Sequence, residues 1–277
     1  MANYKCFDVS IENNIAHIVL NRPEKRNAMS ADFWRELPEI VQDIDDNSKA
    51  RVIVISSTGP IFSAGIDVSM LSSDVTGSGD KNDPQYAAHF YQTVKRLQGT
   101  FNALEDCRIP VLAAIQGGCI GGGVDLITAC DMRYGTADSY ITIFEINVGM
   151  TADVGTFPRI LNHLPEGIVR ELAYTGRKME AKEAVSRGLY NAIYDTQEEM
   201  LGAVMKTAAD IASKSPLAIY GCKRIIKYSR DHSTEDALDN IGVWNMGMLI
   251  PSEMMEAMGA RIQKRTGEFK DLPKKVG

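Results

Sequence analysis

A run of glycines near the middle of the chain constrains the fold more than any other feature. Residues 117–123 read GGCIGGG, between an apolar segment and the helix-like VDLITACDM. Glycine adopts positive φ without strain and lets another backbone or a ligand come close. A glycine-rich turn that enters a helix also presents N–H groups without partners inside that helix. Such groups can bind a phosphate or a developing oxyanion.

The spacing of these glycines argues against nucleotide binding. Gly118, Gly121 and Gly123 do not match the dinucleotide pattern G-x-G-x-x-G, and the run comes too late for a first βαβ unit. A P-loop is also excluded, because no Gly-Lys-Ser or Gly-Lys-Thr follows the glycines. The run therefore indicates an anion site of another kind.

Composition excludes several other classes of protein. The 277 residues include 30 Lys and Arg against 36 Asp and Glu, a formal net charge of −6, so we expect no nucleic-acid partner. Five scattered cysteines are typical of reduced, mostly buried thiols, and four isolated histidines show no metal-ligand spacing, so we expect no metal. No apolar stretch predicts a membrane span, and neither end resembles a targeting signal, so we expect a cytoplasmic protein.

Strand-like and helix-like segments alternate along the first two thirds of the chain. One predicted helix covers residues 31–44, where Ser30 can be the N-cap and Pro38 should bend or shorten the helix. A polar stretch, residues 72–86, predicts a mobile loop, and a second helix covers residues 90–104. The predicted buried strands are residues 15–20, 51–56, 111–115, 131–134, 140–143 and 189–193. This alternation predicts an α/β fold with parallel strands.

Three carboxylates are the candidate acids and bases. Asp125 follows the glycine run, Glu145 ends a strand-like ITIFE, and Asp153 lies among small and apolar residues. Burial in such surroundings raises the pKa of a carboxyl group toward the range useful for proton transfer. The alternatives are that Asp153 only caps a helix starting near Val154 and that Glu145 makes a surface ion pair.

The order of the motifs resembles one family. AGID, GGGVD, FEINVG and TADVGT follow one another as in the enoyl-CoA hydratase/isomerase (crotonase) family, and NRPEKRNAMS is similar to its early motif. The resemblance implies a spiral of ββα units over residues 1–197 and a helical oligomerisation region over residues 198–277. In that family the helical region mediates homotrimers, which commonly pair into homohexamers.

By the same resemblance the substrate is an acyl-CoA thioester, and coenzyme A belongs to the substrate, so no separate cofactor is expected. The backbone N–H groups of Ile66 and Gly122 match the pair that polarises the thioester carbonyl as an oxyanion hole. The positions that match substrate and CoA contacts are Ala64, Gly65, Ile66, Asp67 and Val68, with Arg26 and Lys264 as basic residues toward the CoA phosphates.

The carboxylates separate the branches of this family. Hydratases use two glutamates at positions 125 and 145 and carry glycine at position 153, whereas this chain has Asp125 and Asp153. The trio resembles the branch that converts 3,5-dienoyl-CoA to 2,4-dienoyl-CoA by removing a proton at C2 and adding one at C6. By that resemblance Glu145 and Asp153 form the proton-transfer pair, with Asp153 favoured at C2, and Asp125 tunes their charge. An enoyl-CoA hydratase and a non-catalytic CoA- or RNA-binding protein are the alternatives.

Overall fold

A computed structural model describes residues 4–71 and 82–276. Within them, the larger sheet has the strand order β1-β2-β3-β4-β6-β9 and a smaller sheet has the order β5-β7-β8. The larger sheet contains β1 (Phe7–Glu12), β2 (Ile15–Leu20), β3 (Val52–Ser57), β4 (Val111–Ile115), β6 (Met132–Thr136) and β9 (Ala192–Tyr194). The smaller sheet contains β5 (Gly118–Ile120), β7 (Tyr140–Thr142) and β8 (Met179–Glu180).

The predicted α/β fold with parallel strands is confirmed for most of the larger sheet. From β2 to β9 each neighbouring pair is parallel, and only β1 pairs with β2 in the antiparallel direction. Strands β3 and β4 are buried at every position, as their largely apolar sequences favour, although β3 ends in two buried serines.

Helices pack against both faces of the larger sheet and make up most of the C-terminal part of the chain. They are α1 (Ala31–Asp46), α2 (Pro84–Asp106), α3 (Gly122–Ala129), α4 (Thr156–Ile160), α5 (Glu166–Thr175), α6 (Ala181–Ser186), α7 (Gln197–Ala212), α8 (Pro216–Tyr228), α9 (Thr234–Met248) and α10 (Pro251–Ile262). Short 3-10 turns cover Pro23–Lys25, Val68–Leu71 and Glu145–Val148. The division of the chain at residue 197 stays a prediction.

The core has two parts, one on each side of this sheet. On one side, aromatic rings of α1 and α2 meet, with Trp34 and Phe101 5.3 Å apart between ring centroids. On the other side, Met200, Val204 and Ala208 of α7 pack against β3 and β4. No helix of residues 4–71 and 82–276 is long and apolar enough to cross a membrane.

Two local expectations need correction. Helix α1 is not shortened at Pro38 but continues to Asp46. Proline cannot donate to the carbonyl four residues earlier, and the Thr100 hydroxyl of α2 donates to that carbonyl, of Trp34, at 3.1 Å. The loop predicted over residues 72–86 falls largely outside the described residues, and Pro84 already begins α2.

Candidate active site

The glycine run forms a sharp turn between β5 and α3. Gly121 has φ 51° and ψ −117°, a backbone conformation that is essentially restricted to glycine. Its N–H donates to Thr142 of β7 at 3.0 Å, and the chain then enters α3 at the buried Gly122. The Gly122 N–H lies in the first turn of the helix, where backbone donors have no intrahelical acceptor.

A second loop places the N–H of Ile66 beside that of Gly122. Met29 donates to Gly65 O at 2.8 Å and accepts from Asp67 N at 3.1 Å, so the Ile66 N–H between these bonds points away from Met29. A Cβ on Gly65 would lie 3.2 Å from Gly122 N, and a Cβ on Gly122 would lie 3.7 Å from Ile66 N. The structure therefore brings together the two N–H groups that the sequence singled out.

Backbone contacts hold these two loops together. Ser63 N donates to Gly118 O at 3.2 Å, and Ile120 N donates to Ser63 O at 3.0 Å. Gly65 has φ +82°, and a Cβ there would lie 2.7 Å from Ile120 O. Only glycine fits at position 65, because any side chain would be strained at this φ and would clash with the carbonyl oxygen of Ile120.

Asp125 is fully buried in the first turn of α3. Its Oδ1 accepts from the Thr156 N–H at 2.6 Å, which joins α3 to the first residue of α4. Its Oδ2 has no hydrogen-bond partner among the described residues. Burial, and next the charge of Glu145, raise the pKa of Asp125 from 3.8 to about 7.

Glu145 begins the short 3-10 turn after β7 and faces the glycine turn. Its Oε1 lies 3.1 Å from the place that a Cβ on Gly121 would take. Burial, and then the charge of Asp153, raise the pKa of Glu145. No ion pair involving Glu145 exists in the described part of the chain, so the surface ion pair considered for it is absent.

Asp153 lies in an irregular segment between β7 and α4. The neighbouring Ala152 and Val154 are buried, while the Asp153 side chain is exposed at the site. Partial desolvation raises the pKa of Asp153. Asp153 does not cap α4, because that helix begins at Thr156 and its first N–H is bonded to Asp125.

The candidate CoA contacts differ in how closely the chain brings them to the site. Arg26 is exposed, and its carbonyl accepts from Ala64 N at 2.9 Å, so it lies directly beside the Ala64–Val68 loop. Arg22, in the same NRPEKR motif, forms an ion pair with Asp67 at 3.8 Å, a contact that the sequence did not predict. Lys264 is exposed just beyond α10, and no described hydrogen bond or ion pair joins it to the site.

The chain matches the family model for enoyl-CoA hydratase/isomerase over residues 10–271. It therefore belongs to the enoyl-CoA hydratase/isomerase family. A Delta(3,5)-Delta(2,4)-dienoyl-CoA isomerase, mitochondrial, of Rattus norvegicus is 43% identical, over 95% of this chain and 81% of the relative. A peroxisomal protein of the same name from Arabidopsis thaliana is 38% identical, over 98% and 99%.

Solved structures agree on the fold. The structure of an enoyl-CoA hydratase from Bacillus anthracis superposes with a TM-score of 0.85, is 25% identical, and covers 96% of this chain and 99% of its own. The predicted crotonase-like fold is confirmed by this match and by the family model.

The cytoplasmic location expected from the sequence is wrong by the same comparison. The two relatives above are named mitochondrial and peroxisomal. Compartment addresses are read by receptors and have no part in the fold or the site, so the residues that indicate the chemistry carry no information on location.

Proposed function

We propose that this protein is a Δ3,5-Δ2,4-dienoyl-CoA isomerase. The observation that carries the proposal is the presence of a second carboxylate, Asp153, whose charge acts on Glu145. The charge of Asp153 acts on both Glu145 and Asp125, so the three carboxylates share one site. The relatives named as this isomerase, at 43% and 38% identity, support it over the hydratase alternative.

The N–H groups of Ile66 and Gly122 bind the thioester oxygen of the acyl-CoA. Removal of a proton from C2 produces a dienolate whose negative charge lies largely on that oxygen. Donors fixed by the backbone need no reorganisation as the charge develops, and each contributes about 3 kcal/mol in comparable oxyanion holes. No separate cofactor is required, because the carbonyl of the substrate accepts the electron pair.

Glu145 acts at C2 and Asp153 at C6. C2 is bonded to the thioester carbon, so it lies near the paired N–H groups, and Glu145 lies against Gly121, next to one of them. This is the reverse of the assignment favoured by the sequence.

Glu145 takes the C2 proton, the electron pair moves through the conjugated chain, and protonated Asp153 delivers a proton to C6. Proton exchange with solvent restores the pair, and raised pKa values allow one acid to stay protonated.

Ultraviolet absorbance tests the reaction. Purified protein mixed with a 3,5-dienoyl-CoA should produce the absorbance of the conjugated 2,4-isomer. Asp153→Asn should lower kcat by about a thousandfold, within the usual range for loss of an acid–base group. Asp138→Asn, at an exposed position, is the matched control and should leave kcat unchanged. Water addition to a 2-enoyl-CoA with no isomerisation of the dienoyl-CoA would instead favour a hydratase.

Deuterium incorporation tests the assignment of the two acids. In D2O, Asp153→Asn should still exchange the C2 proton of the substrate, since Glu145 remains to remove it. Glu145→Gln should lose this exchange. The opposite pattern would assign Asp153 to C2.

We further propose that the protein assembles as a homotrimer or homohexamer through its C-terminal helices. In the single chain, Met246, Met255 and Ile262 of α9 and α10 are 84%, 69% and 81% exposed. Clustered apolar side chains of this size mark a contact surface. Sedimentation should report three or six copies, and Met255→Lys with Ile262→Lys should lower that number. A monomer at micromolar concentration would contradict this assembly.

A further inference from the structure

One face of α2 carries polar side chains directly beside its buried stripe. Gln98, Asn102 and Glu105 follow one another at intervals of four and three residues, so they share a helix face. They are only partly exposed, whereas Phe101 and Leu104 next to them are buried. This face is turned toward the segment that contains Asp153 and α4.

Gln98 contacts the backbone of Asp153 itself. Its Nε2 donates to the Asp153 carbonyl at 2.7 Å across 55 residues of sequence. Lys95, one turn earlier on α2, donates to Gln98 Oε1 at 3.1 Å. The lysine therefore orients the amide so that its N–H group faces Asp153.

The other two polar residues hold the far end of the same segment. Arg159 of α4 is only 7% exposed, and its Nε donates to Glu105 Oε2 at 3.0 Å. Its Nη2 donates to the Asn102 side chain. Helix α2 thus contacts Asp153, before the turn that leads into α4, and Arg159, within α4.

The turn that follows Asp153 is closely packed against Arg159. Gly155 has φ +133°, and a Cβ there would lie 1.9 Å from Nη1 of Arg159. The carboxylate of Asp125 accepts from the next N–H along the chain, that of Thr156. Residues 151–155 belong to no helix or strand, so side-chain contacts replace a regular hydrogen-bond ladder.

We infer that Gln98 is a positioning residue that sets the location of the Asp153 carboxylate relative to the substrate chain. The inference rests on the proposed role of Asp153 as a proton donor. A displacement of a reacting group by about 1 Å is enough to lower a rate by up to a hundredfold. The loss of one neutral hydrogen bond at a partly exposed position should have a smaller effect than this, so we expect kcat to fall about tenfold.

Gln98→Met tests this role, because methionine keeps the length of the side chain but cannot donate. We expect kcat for isomerisation to fall about tenfold, with KM within about twofold of wild type. Gln98→Glu keeps the shape and replaces the donor by an acceptor, and it should lose as much. Gln92→Met, at an exposed position of the same helix, is the control and should match wild type.

A double-variant cycle separates positioning from a general structural effect. If Gln98 acts through Asp153, Gln98→Met should change nothing further in the Asp153→Asn background. An equal loss in both backgrounds would overturn the positioning role, and so would wild-type kcat in both Gln98 variants. Full turnover by Asp153→Asn alone would instead overturn the proposed function of Asp153.

Discussion

The two halves of the site are built in different ways. The N–H groups of Ile66 and Gly122 lie on loops that are joined by backbone hydrogen bonds and contain glycines that admit no side chain. Asp153 lies on an exposed, irregular segment that is held by side chains of α2 and α3. The half proposed to bind the carbonyl therefore depends on backbone geometry and not on the functional group of any side chain. The half that carries the acid can change through single substitutions.

This difference has a functional meaning within the family. Carbonyl polarisation is needed wherever a thioester enolate forms, and backbone donors supply it without any particular side chain. The position of the acids along the acyl chain decides which product forms. In the proposed mechanism, the Asp153 carboxylate acts on the acyl chain, and the backbone donors act on the carbonyl.

After Asp153→Asn, the largest effect is expected from disturbing the loops that hold the paired N–H groups. Gly65→Ala would place a Cβ 2.7 Å from Ile120 O at φ +82°. We expect kcat to fall by about a hundredfold or more, since the Ile66 N–H would move out of line, and the unfolding midpoint to fall as well. Gly188→Ala has a similar φ of +88° and only an ordinary contact, 3.8 Å to His163 O, so it measures the backbone strain without a clash. Equal behaviour of the two variants would show that the contact with Ile120 is unimportant.

An intermediate effect is expected where the two halves meet, at Asp125. In the folded protein its pKa is about 7, above the ordinary 3.8, so the folded state holds a proton that the unfolded state releases between these values. Stability should therefore fall as the pH rises from about 4 to about 7, and stay lower above that. The shift corresponds to at most about 4 kcal/mol.

Asp125→Asn checks this linkage, because the amide oxygen can still accept from Thr156 N. Denaturant unfolding at pH 5 and pH 8 should show a smaller loss of stability in the variant than in wild type. Glu145 and Asp153 are present in both proteins, so the difference isolates Asp125. Identical pH dependence of the two proteins would contradict a raised pKa for Asp125.

The smallest effect is expected at the rim of the half proposed to bind the carbonyl. Arg26 is exposed beside Ala64 and has φ +52°, a conformation that asparagine also tolerates. Arg26→Asn should raise KM for the acyl-CoA about threefold, more at low salt, with kcat unchanged, if its charge meets a CoA phosphate. Lys214→Asn removes an exposed charge elsewhere and should have no effect. If the KM of the wild-type protein did not depend on salt, Arg26 would not be part of the surface that binds CoA.

Local patterns in the chain were enough to predict much of the fold. The predicted strand over residues 111–115 and the predicted helix over residues 90–104 are confirmed, because the periodicity of apolar residues reflects their burial directly. The antiparallel β1 was missed, since its pattern is partly polar and exposed. Strand ends also differed by a few residues, as for β9, which starts at Ala192.

By itself, the sequence determined the class of chemistry. The features that indicated it were the glycine run, the AGID loop and three carboxylates in a fixed order. Tertiary structure alone decided how those residues cooperate. It placed Gly122 N beside Ile66 N, raised the pKa of Asp125 by burying it completely, and brought Gln98 to Asp153. The physical reason is distance along the chain. A hydrogen bond between residues 98 and 153, or a desolvated carboxylate, depends on partners that no local pattern specifies.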